Sequence, residues 1–132
     1  MFKEPKILMF ESDPFLRNIY GKKFVKAGFK LKQFVDYKGV IEKVIKEKPD
    51  IISCDIVVPG DINGFQAVEL LKNNEATKDI PVVILTNMGQ KEEIEKGLSL
   101  GAVDYLVKAK VVPKEIPKKF KEYLKCQKKD SK

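Results

Sequence analysis

Residues 6–28 have the sequence KILMFESDPFLRNIYGKKFVKAG, and this stretch introduces the pattern that the rest of the chain repeats. The short apolar run from Lys6 to Phe10 predicts a β-strand, and the apolar residues after it recur at helical spacing. Asp13 occupies the position of a helix N-cap, Pro14 that of a first-turn proline, and Gly28 the position where the helix should end. The stretch therefore predicts one strand followed by one helix.

The same alternation occurs four more times. Further strands are predicted at residues 30–35, 51–54, 82–85 and 102–107, and further helices at residues 40–45, 64–71, 91–100 and 113–126. Alternating strands and helices require right-handed crossovers and a parallel sheet covered on both faces. The first, third and fourth strands show no polar alternation, as expected of strands buried on both faces, whereas the second alternates like an edge strand. We predict an α/β fold, a single doubly wound (βα)5 domain with a five-stranded parallel sheet of order 2-1-3-4-5, although the pattern alone is compatible with another order.

The size and composition of the chain indicate one globular domain. Its 132 residues match the usual ~100–200 residues per domain, and 43% hydrophobic with 34% charged residues is an ordinary globular composition. We expect residues 1–132 to form one domain, with a core at about 6–125 and a Lys-rich C-terminal end at 126–132. No apolar run approaches the ~18–20 residues of a membrane span, and no secretory signal is recognisable. We therefore expect a cytoplasmic protein without a membrane partner.

The chain contains no histidine, and its two cysteines, Cys54 and Cys126, are far apart in the sequence. The missing histidine excludes a His general base, a Cys-His or Ser-His nucleophile pair and a His-ligated zinc. The cysteine spacing matches neither a metal site nor a disulfide framework. Most hydrolase mechanisms are thereby excluded.

The net charge of +7 is unevenly distributed. Residues 1–107 contain 16 basic and 16 acidic side chains, whereas residues 108–132 contain 10 lysines and 3 acids. A solvated lysine face on a terminal helix is the commoner explanation, and a phosphate or an acidic protein as partner is the alternative.

Polar side chains follow four of the predicted strands, at the edge where a doubly wound sheet binds its ligands. They are Glu11, Ser12 and Asp13 after the first strand, Asp55 after the third, Thr86 and Asn87 after the fourth, and Lys108 after the fifth. Converging carboxylates repel one another, and Mg²⁺, which prefers oxygen ligands, relieves that repulsion. A carboxylate beside a cation and an ammonium can accept a phosphoryl group. We predict that Asp55 attacks phosphorus, while the cation, Lys108 and the Thr86 hydroxyl each hold a phosphoryl oxygen.

Four stretches in this order resemble the receiver domain of two-component response regulators. They are residues 6–14, residues 49–59 with Gly64 and Phe65, residues 81–86, and residues 101–108. The resemblance implies that Asp55 is the phosphoacceptor, Lys108 the phosphate-sensing lysine, Thr86 the switch hydroxyl and Tyr105 the switch aromatic residue. It also implies a metal site at the positions of Glu11, Ser12, Asp55 and the Val57 carbonyl.

Four features depart from the family pattern. Ser12 stands where the family supplies a carboxylate that ligates Mg²⁺ directly, so we expect Mg²⁺ to bind weakly. The loop from Pro59 to Gly64 is one residue longer than usual, which could displace the start of the third helix. Asn87 stands where a small residue is usual and could narrow access to the phosphoryl group. Ala109 replaces the usual proline after Lys108, which leaves the geometry of that turn open.

Three functions are compatible with these observations. The first is a stand-alone receiver that is phosphorylated by a histidine kinase or a phosphotransfer protein and changes the surface of its fourth helix, fifth strand and fifth helix for a downstream protein. Such a protein is not an enzyme but a phosphoacceptor that assists its own phosphorylation and dephosphorylation. The second is a pseudo-receiver that binds proteins without phosphorylation, which Ser12 and Asn87 motivate. The third, nucleic-acid binding through the Lys-rich C-terminus, rests on charge alone, and we do not expect nucleic acid as a partner.

Overall fold

The structure is a computed structural model that describes residues 4–130, with side chains described as far as Cys126. Within these residues, five strands and five α-helices alternate along the chain. They are β1 (Lys6–Phe10), α1 (Pro14–Lys26), β2 (Lys30–Phe34), α2 (Val40–Glu47), β3 (Ile51–Cys54), α3 (Gly64–Lys72), β4 (Val82–Thr86), α4 (Lys91–Ser99), β5 (Asp104–Val107) and α5 (Ile116–Asp130). Two short 3-10 helices, Lys108–Lys110 and Pro113–Glu115, connect β5 to α5.

The five strands form one parallel sheet in the order β2-β1-β3-β4-β5, which confirms the predicted fold class. Strands β3 and β4 are buried along their whole length, and β1 is buried except at Lys6. Strand β2 lies at one edge and is partly exposed, as its alternating sequence predicts. The strand order reverses at β1 and β3, and the loops that follow these two strands therefore lie side by side.

The sheet separates two hydrophobic cores. Successive strand residues point to opposite faces, so Leu8 and Phe10 contribute to the core beneath α2, α3 and α4, while Met9 contributes to the core beneath α1 and α5. In the second core, the ring of Phe24 on α1 meets the ring of Phe120 on α5 at a centroid distance of 4.9 Å. Burial on both faces explains why β1, β3 and β4 are so rich in apolar residues.

Local sequence signals set the starts of most elements, and only the starts of α5 and β5 differ from the prediction. The Asp13 side chain accepts hydrogen bonds from the backbone N–H groups of Phe15 and Leu16, which confirms it as the N-cap of α1. Helix α5 begins at Ile116, three residues later than predicted, because Pro113 opens a separate 3-10 turn. Strand β5 begins at Asp104, not at residue 102, because the backbone N–H of Ala102 still bonds to the end of α4. Among the described residues, none of the helices combines the length and apolar character that a transmembrane span requires.

Candidate functional site

The structure brings all the sequence-predicted site residues together around one cleft of about 190 Å³. The cleft is formed by the loops after β1, β3, β4 and β5, and we call it the Asp55 cleft. The predicted residues that line it are Glu11, Ser12, Asp55, Val57, Thr86 and Lys108. Parallel strands end at one edge of the sheet, so residues distant in the sequence meet there.

A single ammonium joins the two buried carboxylates of the Asp55 cleft. The Lys108 Nζ atom lies 2.6 Å from Asp55 Oδ2 and 2.6 Å from Glu11 Oε1. Glu11 is 2% exposed and Asp55 5% exposed, so both carboxylates are largely removed from water. The lysine compensates the repulsion between two acids that face the same small space.

Burial and ion pairing shift the pKa in opposite directions, both for Glu11 and for Lys108. Burial raises the pKa of Glu11 above its ordinary value, and the hydrogen bond to Lys108 opposes this shift without cancelling it. For Lys108, burial alone would lower the pKa, but the hydrogen bonds and charges of Asp55 and Glu11 outweigh burial and raise it. The lysine therefore stays protonated at neutral pH and remains available as a cationic donor.

The loop between β1 and α1 is held by hydrogen bonds of its own. Arg17 Nη1 donates to the backbone oxygens of Glu11 (3.1 Å) and Ser12 (3.2 Å). The Asp13 N–H donates to Glu11 Oε2 at 3.1 Å. Because the Asp13 carboxylate caps α1, it is engaged with the helix backbone and does not replace the missing acid at Ser12.

The end of β3 is packed closely against the start of α3. A Cβ atom at Gly64 would lie only 2.3 Å from the Asp55 backbone oxygen, so a larger residue would clash here. The Gly64 N–H donates to the Ile56 oxygen at 2.9 Å, and the Asn63 side chain caps α3. The longer loop from Pro59 to Gly64 thus leaves the start of α3 packed directly on the backbone of Asp55 and Ile56, which follow β3.

Thr86 and Tyr105 are linked through the loop after β4. Thr86 is 1% exposed, and its Oγ1 accepts a long hydrogen bond of 3.5 Å from the Met88 N–H. The Tyr105 hydroxyl donates to the Met88 backbone oxygen at 2.5 Å, and the tyrosine is buried, outside the cleft lining. Burial raises the pKa of Tyr105 to about 12, so its hydroxyl is a stable donor. In this structure the Tyr105 side chain therefore points inward.

Asn87 and Ala109 are the remaining departures from the family pattern. Asn87 is exposed and lies in the lining of the Asp55 cleft. Every peptide bond within the described residues is trans, so the chain makes the turn after Lys108 without a cis bond at Ala109. The residues of this turn form a 3-10 helix, Lys108–Lys110.

The residues that line the Asp55 cleft are chemically suited to a magnesium ion. Glu11 and Asp55 supply two carboxylates, and Ser12 and Val57 also line the cleft. Mg²⁺ prefers hard oxygen ligands, which a carboxylate, a hydroxyl and a backbone carbonyl can all provide. The described residues contain no cluster of three or more acidic, histidine or cysteine side chains suited to a metal ion. The donor set is therefore chemically suitable but poor in negative charge.

Two side chains that donate hydrogen bonds to the backbone of site residues were not anticipated from the sequence. Arg17 holds the backbone of Glu11 and Ser12, and the Tyr37 hydroxyl donates to the Asp55 backbone oxygen at 2.5 Å. Arg17 lies within the predicted first helix. The helical pattern does not show that its side chain reaches back to the loop before the helix. Tyr37 lies in a loop and meets its partner across 18 positions of sequence, a separation that no local pattern reveals.

Comparison with known proteins finds a matching family model, similar sequences and similar structures. The family model of the response regulator receiver domain matches residues 7–121. The phosphate regulon transcriptional regulatory protein PhoB of Klebsiella pneumoniae is 34% identical over 116 residues, covering 88% of this chain and 50% of that protein. Protein PilH of Pseudomonas aeruginosa is 46% identical over 63 residues, covering 48% of this chain and 51% of that protein. A CheY-like receiver domain from Methanospirillum hungatei JF-1, 21% identical, shares the fold with a TM-score of 0.86 over 97% of this chain and 99% of that one.

The chain belongs to the response regulator receiver domain family of two-component systems. Phosphorylation and Mg²⁺ binding are typical of this family, whose members act as phosphoacceptors. The chain spans about half the length of the curated relatives it matches.

Proposed function

We propose that this receiver domain accepts a phosphoryl group on Asp55 from a histidine kinase or a phosphotransfer protein. The observation that carries the proposal is the buried Asp55 carboxylate, which lies 2.6 Å from the Lys108 ammonium in a cleft that Thr86 also lines. The modified domain then changes the surface formed by α4, β5 and α5, which a downstream protein recognises. We take the domain to comprise residues 1–132, with its core at about 6–125, and the family match over residues 7–121 supports this extent of the core.

The residues of the Asp55 cleft have complementary parts in the transfer. An Asp55 carboxylate oxygen attacks the phosphorus atom in line with the bond to the donor, and that bond breaks with its electron pair leaving on the donor. The Lys108 ammonium exchanges one carboxylate contact for a phosphoryl oxygen, and the Thr86 hydroxyl donates to another. A magnesium ion bound by Asp55, Glu11, the Val57 carbonyl and Ser12 would neutralise further charge on the phosphoryl oxygens. The domain thus assists its own phosphorylation and, with water as the nucleophile, its dephosphorylation.

Intact-mass measurement tests the acceptor assignment. Acetyl phosphate with Mg²⁺ is expected to add one phosphoryl group to the wild-type protein and none to Asp55→Asn. The matched control is Asp13→Asn, which makes the same change in the lining of the same cleft and keeps a side chain that caps α1. Asp13→Asn is expected to label like the wild type. Equal labelling of Asp55→Asn and the wild type would overturn the assignment.

A second candidate, the phosphorylation-independent pseudo-receiver, is favoured by the neutral Ser12 and by Asn87 in the cleft lining. A beryllofluoride mimic of the phosphoryl group distinguishes the two. For a working switch, backbone amide signals are expected to change across residues 88–125 as well as beside Asp55, because the mimic shifts an equilibrium that Thr86 and Tyr105 share. Changes confined to the cleft, together with an unlabelled wild-type protein, would favour the pseudo-receiver.

A further inference from the structure

We propose that Tyr37 is a positioning residue for the phosphoacceptor: its hydroxyl orients the peptide that follows Asp55 and thereby aims the Asp55 carboxylate. The inference rests on the proposed function, since it takes Asp55 as the reacting group. Tyr37 does not touch the reacting carboxylate and acts only through the backbone of Asp55.

Tyr37 is held firmly at both ends. It lies in the loop between β2 and α2, is 2% exposed, and stacks on Phe10 with ring centroids 4.8 Å apart and an interplanar angle of 29°. Its hydroxyl donates to the Asp55 backbone oxygen at 2.5 Å. Burial raises the pKa of Tyr37 well above its ordinary value, so the hydroxyl remains a protonated donor at neutral pH. Phe10 is the last residue of β1, and Asp55 directly follows β3. Tyr37 contacts both residues and so connects the ends of these two neighbouring strands.

The Asp55 peptide needs such a donor because it lies beyond the regular sheet. Strand β3 ends at Cys54, and a buried carbonyl past the end of a strand requires a hydrogen bond from elsewhere. The Asp55 N–H is fixed by the Phe10 oxygen at 3.1 Å, and Gly64 packs closely against the Asp55 oxygen. Tyr37 thus completes a clamp on the two peptide groups that flank Asp55.

A small rotation of this peptide would move two groups that matter for the chemistry. Asp55 Oδ1 accepts a hydrogen bond from the Val57 N–H at 3.3 Å, while Oδ2 contacts Lys108 at 2.6 Å. Turning the peptide would redirect the carboxylate relative to Lys108 and would shift the Val57 carbonyl as well. In-line transfer is sensitive to such changes, since a displacement of ~1 Å can reduce a rate by about a hundredfold.

The test compares Tyr37→Phe with Tyr123→Phe. Tyr37→Phe keeps the ring on Phe10 and removes only the hydroxyl. Tyr123→Phe also removes a tyrosine hydroxyl that bonds to another group, the Asp104 carboxylate at the start of β5, and this bond is away from the Asp55 cleft. For Tyr37→Phe, the maximal rate of labelling by acetyl phosphate is expected to fall about tenfold with the half-saturating donor concentration unchanged. For Tyr123→Phe, both quantities are expected to stay at wild-type values.

A readout that needs no phosphorylation separates this inference from the proposed function. In the unmodified proteins, the backbone carbonyl signal of Asp55 and the amide signals of Ile56 and Val57 are expected to shift in Tyr37→Phe and not in Tyr123→Phe. In the wild type, the Tyr37 hydroxyl proton is expected to exchange slowly with water and to give a nuclear Overhauser effect to the Asp55–Ile56 peptide. The latter measurement holds even where Tyr37→Phe fails to fold.

The outcomes are distinct. Wild-type labelling kinetics in Tyr37→Phe, or an equal loss of rate in both variants, would overturn the positioning role. Rapid exchange of the Tyr37 hydroxyl proton would overturn the hydrogen bond on which the role depends. An unlabelled wild-type protein with the expected NMR shifts would instead overturn the proposed function and leave the contact between Tyr37 and the Asp55 peptide established.

Discussion

At the scale of single residues, charge balance in the Asp55 cleft depends on Lys108. Its ammonium lies 2.6 Å from each of two carboxylates and so holds Glu11 and Asp55 together in a nearly dry space. Ser12 contributes a neutral oxygen where a third carboxylate would add negative charge. The expected consequence is weak Mg²⁺ binding, because Mg²⁺ gives up its waters reluctantly and depends on carboxylates to hold it.

We predict that Ser12→Asp increases Mg²⁺ affinity by about tenfold, equivalent to ~1.4 kcal/mol. The same variant is expected to lose about 1 kcal/mol of stability without metal, because a third carboxylate then faces Glu11 and Asp55. Calorimetric or NMR titration with Mg²⁺, together with urea unfolding, measures both effects. Ser12→Asn is the matched control, since it has nearly the same shape as Ser12→Asp without the charge. An unchanged affinity in Ser12→Asp would mean that the proposed ligand set is wrong.

At the scale of secondary-structure elements, α4 packs unusually close to the sheet at Gly97. A Cβ atom there would lie 2.6 Å from Ile84 Cδ1 and 2.8 Å from Tyr105 Cδ2. The missing side chain lets the tyrosine ring lie between α4 and β5 while its hydroxyl bonds to Met88. Gly97 therefore supports the inward position of Tyr105.

Gly97→Ala is expected to destabilise the domain by about 1–2 kcal/mol, because overpacking costs ~1–3 kcal/mol and outweighs the ~1 kcal/mol that alanine gains in helix propensity. Urea unfolding measures the change, and the aromatic signals of Tyr105 are expected to shift in the same variant. Glu95→Ala, an exposed substitution in the same helix, is the control and is expected to change stability by less than about 0.5 kcal/mol. A Gly97→Ala protein more stable than wild type would show that the ring moves aside without cost.

At the scale of the whole molecule, the fold gathers positive charge from distant parts of the chain. Helix α1 has four basic residues and no acidic one, and it lies beside the Lys-rich start of α5. A cleft of about 330 Å³ between them is lined by Lys23, Lys26, Lys114, Lys118 and Lys121. Three lysines of the last 25 residues, Lys114, Lys118 and Lys121, are therefore part of a larger basic face.

Any nucleic-acid binding by this basic face is expected to be weak, no tighter than about micromolar at physiological salt, and independent of sequence. Lysine ammoniums attract phosphates as point charges and do not read bases, so the affinity is expected to fall steeply as salt increases. Fluorescence anisotropy with two duplexes of different sequence, measured over a range of salt concentrations, tests this. Lys23→Gln and Lys118→Gln are expected to weaken binding, with the exposed Lys91→Gln as control. A salt-resistant and sequence-selective complex would make nucleic acid a true partner.

Local sequence patterns were sufficient to predict the strands, the helices and the location of the candidate site, whereas the strand order was settled by the structure. Asp13 and Pro14 predict the start of α1, because helix capping acts within one helical turn. The apolar runs of β1, β3 and β4 predict strands that are buried on both faces of the sheet. Because parallel strands end at a common edge, the same patterns were sufficient to bring Glu11, Ser12, Asp55, Thr86 and Lys108 to one cleft. Their roles in phosphoryl transfer stay predictions.

The tertiary structure alone decided which atoms meet. It brought the Lys108 ammonium into contact with the carboxylates of Glu11 and Asp55, and the Tyr37 hydroxyl into contact with the Asp55 carbonyl. It also placed the lysines of α1 beside those at the start of α5. It also turned Tyr105 inward against Gly97. These contacts join side chains from elements far apart in the sequence, and they depend on how closely the elements pack. Periodicity and capping act over a few residues, so they carry no information about such distances.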